Sequence, residues 1–290
     1  MSDRLWIWRH FRFALPKDWE MLQYTRDPAV GRCAFADRYE FRFEFSWRAV
    51  AGPPEFDRMM RDYSARLAEQ GHRHLQRENW RQWRAVVGRW ENQTIARFGG
   101  YFDRESCVVE CVFLWPGPRD RALEQTVLGG FAEEPPDAAG RRRWRAFGLD
   151  LRVSGDLRLA ECRVDPGETE WCFRDERGRR SVRCRRIGLR HVWMRQSVAD
   201  WLRASAPVAR DARDSAETIA GHAVVRRSGR LRRGGFEGVF RTPSHVAAEA
   251  WICPADDRLY LREIQGPARF VEDERVGGAL RCAACGETTP

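Results

Sequence analysis

The sequence predicts an α+β fold of two tandem domains, each a twisted antiparallel β-sheet flanked by helices. Three observations carry that expectation. The chain repeats itself at an offset of 139 residues, pairing Cys33 with Cys172, Phe43 with Val182, Phe45 with Cys184, Val86 with Val225 and Glu110 with Glu249. Several segments alternate apolar and polar residues with period two. Each half also has one stretch of helical spacing set between its strands, the order of α+β rather than alternating α/β. The expected boundaries are a first domain over 1–134, a linker over 135–143, a second and basic domain over 144–281, and a tail over 282–290.

Phe11, Phe13 and Leu15 alternate with Arg12 and Ala14 and stop at Pro16, an opening strand. From Arg38 to Ala49 the alternation is strongest: Tyr39, Phe41, Phe43, Phe45 and Trp47 point one way and charged residues the other. After Pro53-Pro54 the period changes. Phe56, Met59, Met60, Tyr63 and Leu67 fall at helical spacing, and Gly71 supplies a stop. A turn-rich basic stretch leads to strands at 82–90, 93–102 and 106–115. A closing helix follows over 119–131, and the segment over 132–140 has linker composition.

The second half replays this plan. An opening strand spans 147–151 and a hairpin covers 169–174 and 180–194, with a bulge inferred between Cys184 and Ile187. A shorter helix carries Val198, Trp201 and Leu202. Strands near 221–227, 234–241 and 246–253 follow, then an extra strand over 259–264 and a short helix ending near Ala279.

Phe11-Arg-Phe-Ala-Leu-Pro-Lys-Asp-Trp19, the hairpin after it, the helix with Phe56 and Tyr63, and the run from Gly99 to Trp115 together resemble the Mog1/PsbP-like superfamily of DcrB type. The second half joins by internal similarity, although Arg152-Val-Ser-Gly155 replaces the Pro-x-x-Trp corner. The resemblance implies a twisted antiparallel sheet with flanking helices. It also implies a binding or assembly role, because members of that superfamily are mostly non-enzymatic. No residue role transfers with it.

Charge is unevenly placed. Residues 1–140 hold 21 basic and 21 acidic side chains, so the whole net charge of +9 lies in the second half. That asymmetry suits an acidic partner or a polyanion, yet Lys17 is the only lysine, a sign of compositional bias. The arginines of the first segment spoil a secretory or membrane-spanning reading. Nine scattered cysteines lack a small-scaffold disulfide pattern, so a cytoplasmic protein without a membrane span is expected.

The sharpest local motif is Cys282-Ala-Ala-Cys285-Gly286, which has the form of a zinc knuckle. A structural zinc site needs four ligands, so folding would have to bring in Cys253, Cys162 or His245. A basic and aromatic surface is the other candidate: Trp80, Arg81 and Arg84 in the first half, and Arg226, Arg227, Arg230, Arg232 and Arg233 in the second. The competing reading packs the tryptophans inward with arginines lying over them. Glu110 and Glu249, carboxylates in apolar strands, are expected to meet arginines or face outward.

Catalytic templates are absent from the sequence: no Gly-x-Ser-x-Gly, P-loop, Gly-x-Gly-x-x-Gly or His-Glu-x-x-His. The expected function is therefore non-enzymatic: an adaptor, chaperone-like factor or accessory subunit that binds another protein. Two alternatives stand beside it. One is a nucleic-acid-binding module using the arginine clusters; the other is an enzyme whose site forms between the halves without a local motif.

Overall fold

The computed structural model describes residues 3–206, 211–231, 244–273, 280–282 and 285. It divides into two compact units, Met1–Glu134 and Pro135–Pro290. Strand dominates both: 54% of the described residues are strand and 16% are helix. This corrects the expected sheet flanked by helices. Segments that read as basic turns are strands too, because an exposed edge strand carries arginine in place of an apolar alternation.

In the first unit β1 (Asp3–Trp8) and β2 (Phe11–Pro16) form a hairpin, and β10 (Ala132–Glu133) adds to β2. The other strands are β3 (Glu20–Tyr24), β4 (Val30–Ala36), β5 (Phe41–Ala49), β6 (Arg73–Trp80), β7 (Trp83–Trp90), β8 (Gln93–Phe102) and β9 (Cys107–Trp115). They make a seven-stranded antiparallel sheet in the order β3-β4-β5-β9-β8-β7-β6. One face receives β2, where Phe13 meets Phe35, Phe43 and Phe45 with ring centroids 5.0–6.0 Å apart. On the other face α1 (Phe56–Glu69) buries Met60 and Leu67 against Val86. α2 (Arg121–Gly130) is capped by the Asp120 carboxylate, which accepts from Leu123 N. It leads to Phe131, which packs on Phe11 and Phe13.

The second unit repeats the order. β13 (Arg158–Asp165), β14 (Glu168–Arg174), β15 (Ser181–Ile187), β16 (Arg213–Ile219), β17 (His222–Arg230), β18 (His245–Cys253) and β19 (Arg258–Gly266) are arranged β13-β14-β15-β19-β18-β17-β16. α3 (Arg190–Trp193) is a single turn and α5 (Ala268–Glu272) a short one. Leu202 of α4 (Val198–Ser205) packs on Ala248, Ala250, Leu259 and Leu261. A smaller sheet is formed by β11 (Arg141–Ala146), β12 (Leu149–Ser154) and β20 (Leu280–Cys282). Trp144 of β11 meets Phe173 of the larger sheet edge-on, and Tyr260 Oη donates to Gly148 O at 3.4 Å.

The shared topology extends to details. Asp37 follows β4 and accepts from the backbone N–H of Tyr39 and Glu40, while Arg42 reaches its second oxygen. Asp175 follows β14 and does the same with Arg179, Arg180 and the Arg180 side chain.

Several element expectations change. The strong alternation shortens to Phe41–Ala49, because the Asp37 turn leaves Tyr39 outside β5 and exposed. The Arg141–Arg145 cluster, expected as linker, is strand β11, with Arg143 and Arg145 both on Asp150. No bulge interrupts β15: its register with β14 is continuous. Val182 and Cys184 serve one face of the sheet, and Ile187 packs with α4 on the other. The pairing of Glu110 with Glu249 also fails. Topology makes β19, not β18, the counterpart of β9. The offset drifts because two residues join β7 to β8, whereas residues 231–244 separate β17 from β18. The strand expected over 234–241 lies outside the described residues.

A candidate metal centre in the second unit

β16 and β17 are joined by a two-residue turn in which Ala220 (φ +48°) and Gly221 (φ +79°) are both left-handed. His222 is the first residue after that turn. Paired residues of β17 and β18 have numbers summing to 475, and the same register carried to the strand ends sets His222 against Cys253. Cys253 closes β18 and accepts from the Asp257 N–H through its carbonyl. β20 pairs with the edge of β12, Cys282 opposite Leu149, and so delivers Cys282 to the same place. Cys285 follows three residues later.

The four side chains converge. Their ligand atoms, one per residue, all lie within 4.8 Å of one another, and this His222/Cys253/Cys282/Cys285 cluster could hold a metal ion. His222 Nε2 is 3.5 Å from Cys282 Sγ and 3.6 Å from Cys285 Sγ; Cys253 Sγ is 3.5 Å from Cys285 Sγ. Tetrahedral coordination with metal–sulfur bonds of about 2.3 Å and metal–nitrogen bonds of about 2.0 Å requires S···N edges of about 3.5 Å and S···S edges of about 3.8 Å. These three edges match to within a few tenths of an ångström, and the remaining three are no longer than 4.8 Å. A disulfide does not account for the approach, since its sulfurs would sit about 2.05 Å apart and all nine cysteines are free.

His222, Cys253 and Cys282 are buried and Cys285 half-buried. The indole of Trp251 packs edge-on against the imidazole, centroids 6.3 Å apart, and stacks in turn on Tyr260. Burial pushes the Cys253 thiol up, and it pushes Cys282 up further with the help of neighbouring Cys285 and Cys253. These sulfurs stay protonated in the absence of a cation; a divalent ion among them reverses the balance and favours thiolates.

Of the predicted ligands, Cys282, Cys285 and Cys253 lie in the cluster. Cys162 sits on β13 opposite Trp171, and His245 lies at the far end of β18 from Cys253. His222 escaped the sequence reading. Its signal was there: at the repeat offset His222 falls on Trp83, a fully buried core residue of the first unit, so an imidazole stands where the repeat calls for an apolar ring.

The arginine candidates are dispersed. Arg226 binds Glu249, which also receives Arg262 at 2.5 Å. Arg227 pairs with Asp214 at 2.7 Å and Arg230 with Asp211 at 3.4 Å. Arg232 and Arg233 lie outside the described residues. Trp80 is half-buried beneath Arg81, whose guanidinium is 4.6 Å from the ring centroid, and Arg84 donates to the Arg81 carbonyl. Glu110 accepts from Tyr63 Oη at 2.6 Å. No helix among the described residues is long and apolar enough to cross a membrane. No protein-family model matches the chain, and no curated protein matches it.

Proposed function

We propose that the second unit carries one structural zinc ion on His222, Cys253, Cys282 and Cys285, and that the protein works by binding another protein. The single observation behind this reading is the convergence of four ligand atoms within 4.8 Å of one another, with three edges of 3.5–3.6 Å. They suit a tetrahedral ion of zinc's size, and three sulfurs with one imidazole are a donor set zinc favours. Four protein ligands fill the tetrahedron. No position is left for a water or substrate, so the ion holds structure and recognition belongs to the surface.

A surface suited to recognition lies in the same unit. Leu189, Val192 and Trp193 are 62%, 58% and 38% exposed around the turn of α3, in the half that carries the net positive charge. Exposed apolar residues grouped on one turn support a protein contact, and the surrounding charge favours an acidic partner. The pairing of Arg226, Arg227 and Arg230 with acidic neighbours weighs against the nucleic-acid alternative.

The test has two parts. The purified wild-type chain should retain one zinc per molecule, and Cys282→Ala or His222→Ala should lose it. Affinity purification from the native cell after nuclease treatment should recover one protein in stoichiometric amount, and Val192→Asp should abolish that recovery without loss of zinc. A metal-free wild-type chain, or recovery of nucleic acid alone, would sink the reading.

A further inference from the structure

The first unit contains a cavity that none of the above uses. It lies between α1 and the sheet face of β4, β5, β8 and β9, and measures about 370 Å³. Ligand pockets run from about 300 to 1,000 Å³, so this one suits a small molecule. Met59, Met60 and Tyr63 of α1 and Val108 of β9 give it an apolar wall. Four charged side chains also line it: Arg48, Arg66, Arg97 and Glu110.

Charge pairing inside the cavity is lopsided. Glu110 accepts the Tyr63 hydroxyl proton at 2.6 Å. Among the described residues none of the three arginines has a carboxylate within the 4.0 Å of an ion pair. Several half-buried arginines elsewhere sit on acids, as with Arg42 on Asp37, Arg119 on Glu124 and Arg143 on Asp150. Arg48 and Arg66 are exposed at the rim, and Arg66 lies over the Tyr63 ring. Arg97 differs: it is half-buried on β8, in the floor beside Gly99. There it contacts the Tyr63 hydroxyl and feels the Glu44 carboxylate without forming an ion pair, so most of its donors face the cavity's contents. A guanidinium presents five donors in a planar fork that matches a carboxylate.

We propose that this cavity binds a small amphipathic carboxylate, an aryl- or alkyl-carboxylic acid, with its acid group on Arg97 and its apolar body against Met59, Met60, Tyr63 and Val108. The rim arginines raise the local concentration of the anion. The site lies wholly in the first unit and does not depend on the metal centre.

Gly99 offers a way to close the cavity. A β-carbon there meets Phe56 at 3.7 Å and Met60 Sδ at 3.9 Å, ordinary contact distances, so a larger side chain enters without a backbone clash. Calorimetric titration of the full chain with 4-phenylbutyrate and with decanoate is the experiment, with decylamine as the probe of opposite charge. Both carboxylates should bind at one site, and decylamine at least tenfold more weakly. Arg97→Gln should weaken the carboxylates at least tenfold, Arg97→Lys less, and Gly99→Leu should abolish binding while the circular dichroism spectrum is retained. Failure of both carboxylates to bind wild type overturns the proposal, as does decylamine binding as tightly or Gly99→Leu binding normally. Should Arg97→Gln not fold, the Gly99→Leu and decylamine results decide.

Discussion

Removal of the metal should release β20 while the rest of the second unit stays folded. Among the described residues three pairs join β20 to β12, and its buried side chains are Leu280 and Cys282. Burying them contributes about 2–3 kcal/mol, and the few ladder hydrogen bonds add about 1 kcal/mol each. Ordering the backbone of a three-residue strand costs about 1–2 kcal/mol per residue, with more for the segment that carries Cys285. These terms nearly cancel, so β20 without metal is marginal. A zinc ion on four ligands contributes about 10–16 kcal/mol in comparable small sites, enough to decide the matter. Hydrogen exchange read on peptides covering Leu280–Cys282, with and without a chelator, is the assay. We expect strong protection with metal and nearly none after chelation, while peptides from β18 and β19 lose little. Protection of β20 that survives complete metal removal would refute the reasoning.

Two further outcomes follow from the polar interior. Glu124 is buried; it accepts Trp115 Nε1 at 2.7 Å and pairs with Arg119, which also holds Glu78. Arg119→Met leaves that carboxylate without its cation and should cost about 3 kcal/mol, against about 1 kcal/mol for Glu124→Gln; urea unfolding of the two variants compares them. Asp37 and Asp175 respond to acid. Burial raises each carboxyl, but backbone N–H groups and Arg42 or Arg180 outweigh it, so both stand below the ordinary 3.8. A folded value below the unfolded one contributes stability that is complete above about pH 4 and is lost as pH falls through the folded value. The urea midpoint should therefore drop between pH 5 and pH 2.5, and an Asp37→Asn/Asp175→Asn variant should drop less; equal drops would contradict this.

What the sequence revealed followed from how strongly each segment obeyed a period. β5, β8 and β9 carry dense apolar residues because they lie inside the sheet; the ranges of β8 and β9 were legible nearly to the residue, while β5 starts three residues later than the Arg38–Ala49 alternation. β1, β6, β11 and β16 were not. β6 and β16 are sheet edges, rich in exposed polar residues, where an unpaired rim imposes no apolar alternation. β11 hid behind its arginines, two of which turn inward because Asp150 across the strand pair receives them. Missing these strands made the helices look more prominent than they are.

The residues of the candidate metal cluster show the same limit. Cys282 and Cys285 were found because a tight spacing survives in one dimension. Cys253 and His222 come from neighbouring strands, and only the strand register brings them together. At the repeat offset of 139 His222 falls on Trp83, so an alignment of the two halves flags it while the offset still holds.

X-ray absorption at the zinc edge, on protein purified without added metal, tests the central claim most directly. We expect one zinc per chain, with about three sulfur neighbours near 2.3 Å and one nitrogen near 2.0 Å. His222→Ala should lose the metal. A spectrum dominated by oxygen ligands, or wild-type protein that carries no metal, would contradict the account.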